Sequence, residues 1–347
     1  MLQENVLLAP LTTIGVGGPA RFFVEATSAD EVRDAIEHAK SHSLPLFVLG
    51  GGSNLVVADA GWPGLVLKVA IPGISHRHGY GTAYFDVGGG EGWDEFVAMA
   101  VRHNCGGIEC LSGIPGSVGG TPVQNVGAYG QEVAETIDSL VALDVHTGKQ
   151  EEFEKADCQF GYRRSIFNSS EHGRYVILRV TYALAHDGQP RLAYADLKTY
   201  FQNLTRQPTL TEVREAVLQI RARKGMLITP GDEDSRSAGS FFKNPVLAVE
   251  KLDELRRRAA ARHLEIPSYP ALEALKKVSA AWLVENSGFA KGYSRGRVSI
   301  SRRHALAIVN RGEATASEIV AFEHDIQCRV DETWGIWLEP EPVLVGF

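Results

Sequence analysis

The residues best suited to chemistry in this sequence are three glycine clusters. They are Gly50-Gly51-Gly52 followed by Ser53 and Asn54, then Gly88-Gly89-Gly90, then the run Gly113-Ile114-Pro115-Gly116-Ser117-Val118-Gly119-Gly120. Without Cβ atoms, such stretches let backbone N–H groups converge on an anion at close range, so they can hold a diphosphate with little positive charge. One cluster alone reads as a turn; three, two of them directly after strand-like runs, favour a phosphate cradle. The chain carries 36 glycines in 347 residues, above the usual share of ~7%. The common nucleotide fingerprint fails, because the first cluster leads into strand-like LVVAD instead of opening a helix. No G-x-x-x-x-G-K-[ST], G-x-S-x-G or H-E-x-x-H occurs. With 35 Lys and Arg against 42 Asp and Glu, the net charge of -7 argues against nucleic acid as the ligand. A dinucleotide cofactor fits a chain this acidic. Cys105, Cys110, Cys158 and Cys328 form neither a C-x-x-C pair nor a metal-ligand spacing, so reduced structural thiols and no metal are expected.

The elements that must position these clusters alternate short apolar runs with turn residues. SADEVRDAIEHAKSHSL reads as a helix capped by Ser28 and Glu31, with Val32, Ile36 and Ala39 at helical spacing. PLFVLGGG and YFDVGGG read as strands ending in glycines, LVLKV as a strand after a turn, and EGWDEFVAMAVRHN as a helix. The glycine-rich stretch 107–130 is too long for a plain connection. Strands at SLVALDV and RYVILRVTYAL precede a helix, TLTEVREAVLQIRARK, capped by Thr209 and Glu212. Beyond it, LAVEKLDELRRRAAARHL, SAAWLVENSGF and TASEIVAFEHDIQCRVDETWGI are helical, while HALAIVN and IWLEPEPVLVGF look like strands. Three units are expected: 1–70, 71–215 and an α+β unit over 216–347. No apolar run approaches the ~18 residues of a membrane helix, and MLQENVLLAP lacks the features of a signal peptide. A cytoplasmic location without membrane attachment is the expectation.

VLGGGSNLVV, DVGGGEGWDEF and LSGIPGSVGGTPVQNVGAYGQE together resemble the FAD-binding half of the UDP-N-acetylenolpyruvoylglucosamine reductases, enzymes of peptidoglycan precursor synthesis. FGYRRSIF, SAGSFFKNP and LEPE follow in the family's order, so the resemblance spans essentially the whole chain. It implies an α+β flavoprotein with the FAD-binding fold of the vanillyl-alcohol-oxidase (PCMH) type. That fold has two subdomains, together within 1–186 as the PCMH region, plus a C-terminal substrate domain. It implies noncovalent FAD, NADPH as reductant, and UDP-N-acetylglucosamine enolpyruvate reduced to UDP-N-acetylmuramate.

The resemblance also implies roles for individual residues. Ser240 matches the proton-donating serine, Arg163 the arginine on the substrate carboxylate and developing enolate, and Glu341 the catalytic glutamate; a Ser240–Glu341 exchange of the proton-donor role stays open. Arg164 is the neighbour and competitor of Arg163; if this stretch is a strand, adjacent side chains face opposite ways and only one of the two can enter the site. Pro342 follows Glu341 where the family more often has an aliphatic residue, which points to a strand end. For FAD, Gly50, Gly51, Gly52, Ser53, Asn54, Gly116, Ser117, Gly119, Gly120 and Asn125 are implied contacts. For substrate they are Tyr162, Lys224, Asn244, Tyr269 and Lys277, with Tyr194 on a loop that closes over it. Thr13, Gly15 and Gly18 match an opening motif without an evident role, and His304 is equally a site residue or a core-edge histidine. A monomer is expected. A small-alcohol oxidase on the same fold and a noncatalytic nucleotide-binding module are the alternatives, and SAGSFFKNP with LEPE speaks against both.

Overall fold

Ser28 accepts a hydrogen bond from the Glu31 N–H at 3.2 Å and starts the helix Ala29–Ser41. The Glu31 carboxylate reaches past the cap to the Thr27 N–H at 2.6 Å, so the box closes one residue earlier than the sequence suggests. Val32, Ala35, Ile36 and Ala39 of this helix share a core with Leu65, Leu67 and Val69 of the strand Trp62–Val69. In the computed structural model, which describes residues 1–271 and 274–347, the helix belongs to the first of two units. That unit comprises Met1–Leu7, Pro19–Gly52 and Trp62–Arg223.

Its first sheet has the order Gln3–Leu7, Pro19–Ala26, Trp62–Val69, Leu46–Leu49, with the last two pairings parallel. Its second is antiparallel in the order Gln150–Glu154, Ile137–Asp144, Tyr175–His186, Thr82–Gly88, Ile74–His78, with Cys105–Gly106 added on Tyr175–His186. Phe85 and Tyr182 of that sheet bury against Trp93 and Phe96 of the helix Trp93–Arg102. Leu143, Val176 and Leu178 join the first sheet's core, so one apolar layer serves both sheets. The expected 70/71 boundary falls just after the strand Trp62–Val69. The expected 215/216 boundary falls inside the helix Leu210–Arg223, whose Val213, Ala216, Val217 and Ile220 pack with Cys110 and Leu197.

The second unit comprises Leu8–Gly18, Ser53–Gly61 and Lys224–Phe347. One of its sheets runs Ser237–Ser240, Ala307–Asn310, Val298–Ile300, Ser294–Arg295, and another Val246–Leu247, Lys276–Val278, Ser268–Pro270. The strand Val343–Val345 pairs in parallel with Leu55–Val57, joining residues nearly 290 positions apart. The long helix Ala316–Trp334 begins with a full capping box between Thr315 and Glu318. Asp59 adds a second cap, accepting from the Ala316 N–H at 2.7 Å and the Ser317 N–H at 3.0 Å. Phe241, Phe242, Phe322 and Trp334 are fully buried in this unit's core. No helix among the described residues is long and apolar enough to cross a membrane.

Candidate active site

The glycine clusters of the first unit interlock. A Cβ on Gly51 would sit 2.4 Å from Gly116 Cα, and one on Gly50 would sit 2.9 Å from Ser117 Oγ, so the first and third clusters approach as only glycine allows. The third is tied to the second by hydrogen bonds from Val118 N–H to Glu91 O at 2.8 Å and from Gly119 N–H to Gly89 O at 2.9 Å. The Gly120 N–H goes to Ser117 O at 3.0 Å, so Gly119 and Gly120 build the loop with their own N–H groups. Ser117 is buried, and its hydroxyl has no hydrogen-bond partner among the described residues. Leaving such a group unmet costs about 1–3 kcal/mol, which a polar ligand group would relieve. A cradle of bare backbone beside one orphaned hydroxyl fits a diphosphate-bearing cofactor such as FAD.

Two arginines absent from the sequence-based expectation brace this loop. Arg221, buried, donates from Nε to Gly113 O at 3.1 Å, while the Gly113 N–H donates to Asp94 Oδ1 at 2.6 Å. Arg214 clamps Asp94 with bonds of 2.6 and 2.9 Å. Burial pushes the Asp94 carboxyl up, but Arg214 and the Gly113 N–H outweigh it and hold it below the ordinary carboxylate value. The signal available in the sequence was the seven-residue spacing of the two arginines on one helix.

FGYRRSIF is not a strand. Gly161 and Arg164 bridge each other in a tight loop, and Arg163 has a left-handed backbone at φ 55. Alternation therefore does not separate the two arginines; exposure does, with Arg164 exposed and Arg163 half-buried. Arg163 donates to Gly127 O at 2.8 Å and lies 5.5 Å from the ring centre of Tyr162. Asn125, fully buried, holds this loop: its Nδ2 donates to Gly161 O at 2.9 Å and to Glu132 Oε2 at 2.8 Å, and its Oδ1 accepts from the Ala134 N–H at 3.1 Å. These bonds position the Arg163 loop.

In the second unit, Ser240 ends the strand Ser237–Ser240 next to Gly239, whose φ of 79 favours glycine and whose missing Cβ would meet nothing within 4 Å. The Glu341 N–H donates to Phe241 O at 2.9 Å and Pro340 bridges Phe242, so the LEPE segment runs along SAGSFF. The segment is not a regular strand at Glu341; the strand begins at Val343, as Pro342 suggested. Glu339 is exposed and pairs with Lys243 at 3.5 Å, while Glu341 is half-buried.

Ser53 and Asn54 also fall in this unit. Asn54 Nδ2 donates to Glu341 O at 3.0 Å, and Thr13 Oγ1 donates to Ser237 O at 2.7 Å and to Ser53 O at 3.4 Å. The opening motif thus has a role, tying the chain's start to the Ser240 strand. Gly18 is needed there because a Cβ would sit 2.1 Å from Asp59 O. His304 accepts the Leu306 N–H at 3.1 Å, shaping the turn whose Leu306 O receives the Phe241 N–H at 2.8 Å. Asp234 accepts from Ser301 Oγ at 2.9 Å and fixes the same turn, another contributor the sequence did not single out.

The other expected substrate contacts divide between the units. Tyr269 and Lys277 are cross-strand partners in the second unit's small sheet. Asn244 lies beside that sheet, its Oδ1 accepting the Ala280 N–H at 2.9 Å at the start of the helix Ala280–Glu285. Lys224, half-buried, opens the long segment of this unit. Tyr162 and Tyr194 belong to the first unit, where Tyr194 is 43% exposed and meets the Tyr129 ring edge-on at 5.4 Å. It precedes a short helix, Ala195–Tyr200, which the polar sequence did not announce.

Comparison with known proteins covers both units. Residues 20–154 match the family model "FAD binding domain", and residues 230–345 match "UDP-N-acetylenolpyruvoylglucosamine reductase, C-terminal domain". The chain is 44% identical over 345 residues to the UDP-N-acetylenolpyruvoylglucosamine reductase of Streptomyces coelicolor, covering 98% of this chain and 89% of that protein. It is 41% identical over 349 residues to that of Thermobifida fusca, covering 99% and 98%. The crystal structure of UDP-N-acetylenolpyruvylglucosamine reductase from Thermus caldophilus aligns with a TM-score of 0.65 at 27% identity, covering 99% of this chain and all of that one.

Proposed function

The chain belongs to the UDP-N-acetylenolpyruvoylglucosamine reductase family, and from that premise we propose that it reduces UDP-N-acetylglucosamine enolpyruvate to UDP-N-acetylmuramate with NADPH. The observation that carries this reading is the full-length similarity, joined to a glycine cradle with one orphaned buried hydroxyl. Gly50, Gly51, Gly52, Gly116 and Ser117 are the residues that would hold FAD. The chemistry that bound FAD supplies is hydride transfer, from NADPH to C3 of the enolpyruvyl group.

This chain must do the rest. Net reduction of the C=C bond adds one hydride and one proton, so a protein group has to deliver the proton to C2. Ser240 is that donor in our reading: its setting beside Gly239, with open space at the missing Cβ, leaves room for substrate. A hydroxyl is weakly acidic and serves only where the carbanion formed next to it is strongly basic. Arg163 offers a fixed, always-charged fork for the substrate carboxylate and the charge that spreads onto it. Glu341 acts beside Ser240, its backbone placed by Phe241 and Asn54. Lys224, Asn244, Tyr269 and Lys277 take the nucleotide diphosphate, and Tyr194 closes over the substrate. We read the protein as a cytoplasmic monomer.

Under anaerobic conditions the purified yellow protein should bleach with NADPH and recolour when the enolpyruvyl substrate is added. A protein that bleaches and stays bleached refutes the substrate assignment. Ser240→Ala should bleach at the normal rate and lose turnover on the enol ether by about 10²–10⁴-fold; equal loss of both half-reactions removes Ser240 from the proton-donor role.

A further inference from the structure

Ser240 does not stand in a regular ladder. Its strand pairs Ser237 with Val309 and Ser240 with Ala307, so three steps along one strand answer two along the other. The irregularity includes Gly239 at φ 79. Such a bulge disrupts the ladder locally and re-aims the side chains next to it, so the setting of Ser240 depends on what grips its neighbours. That grip comes from the turn 301–306. The Phe241 N–H donates to Leu306 O at 2.8 Å, the Ser301 N–H to Ala307 O at 2.8 Å, and the Ala307 N–H to His304 O at 3.2 Å.

One buried carboxylate fixes that turn. Oδ2 of Asp234, which is 5% exposed, accepts from Ser301 Oγ at 2.9 Å, the Arg302 N–H at 3.2 Å and Arg303 Nε at 3.3 Å. Ser301, fully buried, passes the constraint on, its Oγ accepting from the Arg303 N–H at 3.0 Å and the His304 N–H at 3.2 Å. Arg311 Nη1 lies 2.6 Å from Asp234 Oδ1 as an ion pair. Asp232 steadies the carboxylate's own backbone, its Oδ1 accepting the Asp234 N–H at 3.0 Å, and its Oδ2 also takes Arg303 Nη2. Burial pushes the Asp234 carboxyl up, but Ser301, Arg311 and Arg303 outweigh it and hold it below the ordinary carboxylate value, so it is charged at neutral pH. The Asn310 N–H donates to Arg236 O at 3.0 Å, which anchors the near end of the same strand.

We propose that Asp234 and Ser301 are positioning residues for the proton step: through the turn 301–306 they hold the bulged end of the strand, and with it the Ser240 hydroxyl, in place for delivery to C2. The inference rests on Ser240 as the proton donor. A hydroxyl is a weak acid and transfers its proton only within hydrogen-bond reach of the reacting carbon, and a misplacement of about 1 Å costs about 10²-fold in rate. The charge on Asp234 matters because charge-assisted hydrogen bonds are roughly twice as strong as neutral ones. Arg303 serves a second purpose, since a Cβ on Gly225 would sit 2.9 Å from its Nε, which packs the guanidinium against the backbone next to Lys224. Asp234 and Ser301 are therefore the cleaner residues to vary.

The test is anaerobic stopped-flow of the flavin-loaded protein, with NADPH bleaching and recolouring by the enolpyruvyl substrate followed separately. Asp234→Asn and Ser301→Ala should bleach at the normal rate. Their limiting rate of recolouring at saturating substrate should fall between about 10-fold and 10²-fold, with the half-saturating concentration unchanged. Asp234→Asn/Ser301→Ala should be no slower than the slower single variant, because the two residues act in series. Ser301→Ala removes a single oxygen atom and decides the matter if Asp234→Asn does not retain flavin. Equal slowing of both half-reactions, a raised half-saturating concentration at an unaltered limiting rate, normal recolouring in both single variants, multiplied losses in the double variant, or loss of flavin from both single variants each overturns the proposal. Unaltered protein that bleaches and stays bleached instead removes the functional reading, and this inference with it.

Discussion

Asn125 and Arg163 show how a single buried amide can govern the loop that carries a charged side chain. Asn125 donates to Gly161 O and Glu132 and accepts from the Ala134 N–H, around a loop in which Arg163 holds a left-handed backbone. Such a conformation costs a non-glycine residue on the order of 1–2 kcal/mol and persists only where neighbours impose it. Asn125→Ala should therefore lower kcat by tenfold or more while leaving NADPH bleaching of the flavin intact. It should also destabilise the fold by about 1–3 kcal/mol through unmet buried partners. Stopped-flow half-reactions and a urea melt measure both, and equal slowing of the two half-reactions would point to a cofactor role for Asn125. The conformation of Arg163 was not legible, because between Gly161 and Ser165 the motif FGYRRSIF carries no turn residue and its apolar ends suggest a strand.

Among the elements, the helix Ala316–Trp334 carries an internal liability. Glu323 is 4% exposed, its Oε2 has no partner among the described residues, and burial alone pushes its carboxyl up to about 7. The folded value lies above the unfolded one, so the folded protein holds an extra proton between them. Stability is then full below about pH 4.5, the ordinary range of a glutamate, and is lost as pH rises through about 7. The loss is on the order of 3 kcal/mol, and Glu323→Gln should flatten the stability profile between pH 5 and 8, as read from urea midpoints. An unchanged slope would show that another group titrates. The helix itself was plain from its capping residues and periodicity, whereas the charge in its core was not, since Glu323 sits in a run of otherwise ordinary helical spacing. The glycine clusters were likewise visible as a set, but their interlocking at Gly51 and Gly116 depends on contacts across 65 positions that no local pattern reports.

At the scale of the whole molecule, the order of elements was largely readable and the assignment of segments to units was not. Short apolar runs such as LVV look alike whether their partner is near or distant, so nothing local told that Leu55–Val57 pairs with Val343–Val345 or that Asp59 caps a helix beginning at Ala316. A fragment of residues 224–347 lacks both contributions, together with Ile14, Val16 and Val56 from the same core. It should be unfolded by circular dichroism, and a dispersed, cooperative melt from that fragment would contradict the unit boundaries. The same interleaving bears on how the protein is made. At synthesis rates of about 5–20 residues per second, Leu55–Val57 emerges from the ribosome roughly 15–60 s before its strand partner exists. For that interval the strand Leu55–Val57 has no pairing partner in the chain, so this two-stranded sheet of the second unit cannot form until Val343–Val345 has been made.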